Sequence, residues 1–213
     1  MYQSNPAYQS TQQRNHAPNQ GYANHPNQPI NPGASRNNPP QQQTEDKTLK
    51  DFFQIKVHGG KAAFNAYPST TKKGWETISF EMAARSNPNN PNDRTYNWQD
   101  KVTLQITMTE LPVLVATLHS LLPSVEFKNH GQNNDKGMAI IKQEKHFFCK
   151  MFAKNASVKA VPVSFPEMAL VANLALSQYV KNFDGVSSDV ALANLKTMAR
   201  DLYKSSQAPL AQQ

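Results

Sequence analysis

The chain has 213 residues, a net charge of +7 and a hydrophobic fraction of 38%, with a mean hydropathy of −0.66; this is enough for one domain with tails, or two small domains, but too polar to be packed throughout. No apolar run is long enough to span a bilayer, no apolar signal-peptide core is found, and a lone cysteine, Cys149, leaves no intramolecular disulfide to form. The expected compartment is therefore reducing, the cytoplasm, with an organelle as the alternative.

Up to residue 43 the chain is mostly Gln, Asn and Pro, with Ile30 as its only large aliphatic residue and Tyr2, Tyr8 and Tyr22 scattered along it. Such a segment cannot bury enough apolar surface to offset its chain entropy, so residues 1–46 are expected to be a disordered tail that solubilises or spaces. Arg14 and Arg36 are the only charges before Glu45, so that stretch carries +2 and the remainder +5. A basic excess of this size suits a polyanionic partner, and equally a soluble domain that has none.

From Phe52 the hydrophobic period becomes two. Phe53, Ile55 and Val57 alternate with Gln54, Lys56 and His58, which predicts a half-buried strand, and after the Gly59-Gly60 turn Lys61 to Tyr67 reads as a second. Trp75 to Met82 alternates again, the Asn- and Pro-rich stretch 86–93 reads as a loop, and Lys101 to Met108 is a fourth strand with Val102, Leu104, Ile106 and Met108 on one face. Leu111 to Leu122 is predicted to be a helix, with Thr109 as N-cap, Pro112 tolerated in the first turn and Pro123 as the stop.

Four further strands are expected at Val125–His130, Gly137–Gln143, Phe147–Ala153 and Val158–Val163. Ser164 and Glu167 form an S-x-x-E capping box before the apolar run Met168 to Val180, Gly185 ends that helix, and Ser187 to Tyr203 reads as an amphipathic last helix. The order ββββα-ββββα-α gives an α+β fold: a domain over 47–185, a C-terminal helix over 186–205 and a tail from 206. Val102 to Leu118 and Val161 to Leu176 both run strand, hydroxyl cap, apolar helix, which suggests a pseudo-repeat.

The stretch His146 to Lys154 carries the most chemistry. Extended, its odd positions are Phe147, Cys149, Met151 and Ala153, and its even positions are His146, Phe148, Lys150, Phe152 and Lys154. Exposed aromatics stack on unpaired bases and lysines follow phosphates. The competing reading packs Phe148 and Phe152 under a helix with the lysines reaching out. Lys56, His58 and Lys61 add to a basic face, or to a merely solvated one. Trp75 beside Lys72 and Lys73, and Trp98 beside Lys101, are more readily rim residues than base platforms. Both main helices are apolar around most of their circumference, which points to a second subunit or to cover by the last helix.

Nothing points to catalysis. The histidines have no metal-ligand spacing, there is no P-loop, dinucleotide fingerprint or nucleophile elbow, and His58-Gly59-Gly60 is not followed by G-x-S-x-G. Asp93, Asp100 and Asp135 form no pair, and the neighbours of Cys149 on its face are apolar, which makes it an inert thiol. No enzyme activity, metal or cofactor is expected.

His58-Gly59-Gly60-Lys61-Ala62-Ala63-Phe64 resembles the K-G-K-A-A-L signature of the Whirly family of single-stranded-DNA-binding proteins, with Gly59 in place of a lysine and Phe64 of a leucine. Arg94-Thr95-Tyr96-Asn97-Trp98 is similar to that family's R-x-Y-D-W, with Asn97 in place of the acid, and Val161-Pro162-Val163-Ser164 to its I-P-V-T strand. The resemblance covers Phe52 to about Phe183; the tail and the last helix fall outside it. It implies two antiparallel four-stranded sheets packed crosswise, a helix after each, a homotetramer joined through those helices, and single strands bound with little sequence preference. Guide-RNA-binding proteins of kinetoplastids share that architecture, so RNA is the alternative ligand. A tail unlike a plant transit peptide points to a bacterial, phage or plasmid relative.

The expected contacts are Lys61, Lys150 and Lys154 to phosphate, Phe148, Phe152 and Tyr67 to bases, and Lys56, His58, Lys101 and Lys142 around them. Two other readings stand beside this one. A duplex-binding regulator would have only Lys196, Arg200 and Lys204 on its last helix to read a groove. A structural adaptor would use the apolar helices for partners and the tail as a spacer.

Overall fold

The computed structural model describes residues 53–90 and 92–207. The tail expected over 1–46, the start of the first strand at Phe52 and the residues after 207 lie outside the described residues.

The chain forms two four-stranded antiparallel sheets, each a simple meander, β1-β2-β3-β4 and β5-β6-β7-β8. The first comprises β1 (Ile55–His58), β2 (Ala62–Thr70), β3 (Glu76–Ala84) and β4 (Val102–Gln105). The second comprises β5 (Ser124–His130), β6 (Lys136–Lys142), β7 (His146–Ala153) and β8 (Ala156–Ser164). Helix α1 (Leu111–Leu118) follows the first sheet, α2 (Phe165–Val180) follows the second, and α3 (Ser188–Gln207) closes the described chain. The α+β class and the order of elements agree with the sequence reading.

Alternation sets which face is buried. Ile55 and Val57 stand opposite Ala66 and Phe64, which in turn face Phe80 and Met82 on β3 and then Leu104 and Val102 on β4. On the second sheet, Val125 and Phe127 lead through Ile140 and Met138 to Cys149 and Met151. All of these belong to one buried core. Each fully buried large apolar side chain contributes about 1.5–3 kcal/mol relative to exposure. The sheets meet where β8 touches β1, β2 and β3, and where β4 touches β6 and β7; α2 lies against β1, β2, β3, β7 and β8, and α3 against α1 and α2.

Several boundaries differ from the sequence reading, each for a local reason. β2 runs on through Pro68 because β1 begins only at Ile55, opposite Ala66, so that past Ala66 β2 pairs with β3 alone and a residue without an N–H is tolerated. β4 stops at Gln105, although Ile106 still donates to the Ile78 carbonyl at 3.0 Å, and Met108, expected inside, is 53% exposed. Thr109 is not the cap of α1. The N–H and hydroxyl of Thr107 donate to the Glu110 carboxylate at 2.9 and 2.8 Å, and the helix begins after Glu110.

α1 ends four residues early, because Ser120 takes a left-handed conformation (φ 61°). The N–H groups of Ser120 and Leu121 return to the carbonyls of Thr117 and Ala116, which terminates the helix before Pro123. The capping box of α2 is present as expected: the Ser164 hydroxyl accepts from the Glu167 N–H, and the Ser164 N–H donates to the Glu167 carboxylate at 3.0 Å.

α2 buries Met168, Val171, Ala172, Ala175, Leu176 and Gln178. α3 covers part of the remaining apolar surface, burying Ala191, Leu195 and Ala199, yet Leu170 stays 58% exposed. Among the described residues no helix is long and apolar enough to cross a membrane.

Candidate nucleic-acid interface

The outward face of the second sheet is built by β6, β7 and β8. On β7, Phe147, Cys149 and Met151 are buried while His146, Phe148, Lys150 and Phe152 are half-buried, so burial alternates residue by residue. Neither Phe148 nor Phe152 belongs to the buried core.

The register fixes their neighbours. Phe148 lies between Ile141 on β6 and Pro162 on β8, forming an apolar row across the sheet. Lys150 lies between Ala139 and Ala160, small residues that leave the ammonium room. Phe152 stands opposite Gly137, and its ring occupies the space a side chain there would need: a Cβ on Gly137 would be 2.3 Å from the Phe152 Cζ. Glycine in a strand is covered in this way by an aromatic ring from the neighbouring strand. Phe148 and Phe152 are four residues apart on one strand, about 13 Å. None of the ion pairs among the described residues involves Lys150.

The β1–β2 turn of the first sheet reaches β8, the edge strand of the second. A Cβ on Gly59 would lie 3.1 Å from Val161 Cγ1 and 3.7 Å from Pro162 Cδ, so the turn approaches β8 as closely as a bare backbone allows. Pro162 is the cross-strand partner of Phe148, so the His58-Gly59-Gly60-Lys61 turn adjoins the aromatic row. Lys61 is exposed in the turn itself and does not open β2.

Segment 94–98 packs over the outward side of β1. The Tyr96 ring stacks on His58 with centroids 5.3 Å apart, and its hydroxyl donates to the Gly59 carbonyl at 2.8 Å. Lys56 Nζ sits 5.9 Å from the centre of the Trp98 ring. Arg85, at the end of β3, donates through Nη1 to the Gly60 carbonyl at 2.9 Å and through Nε to the Asp93 carbonyl. His58, Gly59, Gly60, Arg85, Arg94 and Tyr96 line a pocket of about 360 Å³. Arg85, Arg94 and Tyr96 are functional candidates that the sequence reading did not place in the site; the only hint was the nearness of Arg94 and Tyr96 in one motif.

Other expected contacts fall elsewhere. Lys101 forms an ion pair with Glu81 at 2.7 Å, and the Tyr67 hydroxyl donates to the same carboxylate at 3.2 Å. Asn65 adds a third partner at 3.2 Å. Burial alone would raise the Glu81 carboxyl; the hydrogen bonds from Lys101, Asn65 and Tyr67, with the Lys101 charge, outweigh it and hold the group below the usual carboxylate range. Burial and the Glu81 charge in turn push the Tyr67 hydroxyl up. Tyr67 and Lys101 are thus tied into a polar network on the first sheet, apart from the aromatic face.

Lys142 is exposed in register with Phe147, so it belongs to the core-facing side, beside Leu118, Phe165 and Met168. Lys154 does not extend the β7 face; the strand ends at Ala153, and Lys154 lies in the two-residue turn to β8, its N–H donating to the Asp135 carbonyl at 3.0 Å. Of the two tryptophans, Trp75 packs edge-on against Phe183 at 5.6 Å, as a rim residue does.

Among the described residues no group of three or more His, Cys, Asp or Glu could hold a metal ion. Cys149 is buried, and burial pushes its thiol far above the ordinary range, so it is no nucleophile. Compared with protein-family models and with curated proteins, the chain matches none.

Proposed function

We propose that the protein binds single-stranded DNA with little sequence preference, protecting or presenting it in replication, recombination, repair or transfer, and that it does so as a cytoplasmic Whirly-like homo-oligomer with crosswise-packed sheets. The observation that carries this reading is the half-buried outward face of β7, on which aromatic and basic side chains alternate. Phe148 and Phe152 offer two flat apolar rings, Lys150 stands between them and takes part in none of the ion pairs among the described residues, and the turn bearing Lys61 lies against β8. Rings of this kind stack on any base, and stacking contributes about 1–3 kcal/mol per base. A duplex hides its base faces, so the surface favours single strands. An RNA strand presents the same groups, and the 2′-hydroxyl decides between the two ligands.

Self-association is supported by a second feature. Phe53, 51% exposed, and Leu170, 58% exposed, line a groove of about 590 Å³ together with Ile55 and Leu174. Apolar surface of this kind is ordinarily covered by a partner, and a tetramer joined through α2 would cover it. Light scattering should give four chains; a monomer would remove the oligomer from the reading.

Fluorescence anisotropy with a labelled 30-mer, single-stranded and duplex, at two salt concentrations tests the function. Tight, salt-sensitive binding to the single strand with clearly weaker duplex binding is expected. Equal or absent binding would leave the fold without this function and move the adaptor reading to first place.

A further inference from the structure

Building on that reading, we propose that the pocket formed by His58, Arg85, Arg94 and Tyr96 is a phosphate-binding site that anchors one phosphate of the bound strand at the end of the aromatic row. Two arginines and a histidine line the pocket together with Gly59, Gly60 and Tyr96. The Arg94 guanidinium offers a planar fork that matches two phosphate oxygens, and Arg85, whose Nε and Nη1 are held by the Asp93 and Gly60 carbonyls, adds a second fixed positive charge to the same pocket.

The site is held in shape before any ligand arrives. Arg85 is fixed by the Gly60 and Asp93 carbonyls. Tyr96 is fixed by the Gly59 carbonyl, and its ring fixes His58 by stacking. Thr95 donates to the Asp93 carboxylate from its N–H at 2.8 Å and its hydroxyl at 2.6 Å, which holds that acid in the loop. The same Gly59 that forms the floor approaches Pro162, the neighbour of Phe148. A strand whose bases stack on Phe148 and Phe152 therefore passes its backbone beside the pocket.

Arg94 is the residue to change, because Arg85 also fastens the turn. In the full chain, the His58 imidazole resonances followed by NMR during titration with pyrophosphate should shift saturably, and the shift should be lost in Arg94→Ala and kept in Arg94→Lys. In binding to the 30-mer, Arg94→Ala should weaken affinity several-fold and make the slope of log K against log salt shallower by about 0.7, the amount for one phosphate contact on a single strand. The proposal is overturned by an unmoved His58 in the unaltered chain, or by a folded Arg94→Ala variant with unchanged affinity and slope. If pyrophosphate binds but no single strand does, the proposed function fails and the phosphate site stands. If the strand binds and His58 ignores pyrophosphate, the function stands and the site fails.

Discussion

Replacing Gly137 with alanine probes the aromatic face from beneath. The new Cβ would lie 2.3 and 2.5 Å from the Cζ and Cε2 atoms of Phe152 and 2.6 Å from the Phe127 carbonyl oxygen. Alanine restrains the unfolded chain more than glycine, a gain of about 0.5–1 kcal/mol in a strand. Against it stands overpacking, which costs about 1–3 kcal/mol. The clash should win, because the ring can swing outward but the carbonyl moves only with β5. A net loss of about 1–2 kcal/mol is expected.

Removing the ring divides that loss into its two parts. In a Phe152→Ala background the two nearest ring atoms are gone and the Phe127 carbonyl remains, so the cost of the alanine at 137 should shrink by about 1 kcal/mol, within the usual coupling of contacting residues. Urea unfolding followed by far-ultraviolet circular dichroism on the four proteins of the cycle measures this. A Gly137→Ala protein at least as stable as the unaltered chain, or the same cost in both backgrounds, would refute the placement of the ring. The displaced ring should also weaken single-strand binding in Gly137→Ala alone.

Other outcomes follow from particular contacts. Asn182 clamps the end of α2 to β3: its Oδ1 accepts from the Glu76 N–H at 2.8 Å and its Nδ2 donates to the Glu76 and Gln178 carbonyls, each at 2.9 Å. Asn182→Ala should cost about 2–3 kcal/mol, at roughly 1 kcal/mol per hydrogen bond, and lower the melting temperature by about 4–12 °C; an unchanged melting curve would contradict the clamp. The buried Cys149 thiol should resist a disulfide reagent in the native chain and react on unfolding. Because burial raises its folded pKa, the unfolded chain alone ionises at alkaline pH, so stability should fall as pH rises above the thiol's ordinary range, and less so in Cys149→Val.

His119 works in the opposite direction along the pH scale. Its Nε2 is buried without a hydrogen-bond partner among the described residues, and burial lowers its pKa below 6.5 despite a partly offsetting backbone hydrogen bond at Ala172. The unfolded chain then takes up a proton that the folded chain refuses. The stability His119 contributes is complete above pH 6.5 and is lost as the pH falls through the folded value. Denaturant melts of His119→Asn should show a shallower acid slope in that window; an identical slope would assign the acid loss to other groups.

Much of this architecture was legible because it rests on short-range patterns. Period-two alternation located the strands, and the Ser164–Glu167 box fixed the start of α2 to within a residue. The alternating burial of β7 needed nothing beyond the order Phe147-Phe148-Cys149-Lys150-Met151-Phe152. The misses came from interactions that local pattern does not encode. Ser120 ends α1 in a left-handed conformation usually left to glycine, so the apolar run to Leu122 read as one helix.

Glu81 alternates with the core residues Phe80 and Met82 on β3, yet it gathers Asn65 and Tyr67 from β2 and Lys101 from just before β4, which withdraws Tyr67 and Lys101 from the interface. Lys142 kept its charge and exposure but fell on the other face, since the parity of β6 relative to β7 is set by register. The pocket around His58 draws on the turn at 59–60, the end of β3 and the segment 94–96, a combination that only the folded chain brings together.

The central claim is that the outward face of β7 carries the strand. The most direct measurement is the affinity of the Phe148→Ala, Phe152→Ala double variant for a single-stranded 30-mer, with circular dichroism and light scattering to establish that it folds and assembles as the unaltered chain does. Loss of two stacking contacts at about 1–3 kcal/mol each predicts affinity weakened roughly 30-fold or more, with the salt slope unchanged because no charge is removed. A folded double variant that binds the strand as tightly as the unaltered chain would contradict the claim and place the strand on another surface.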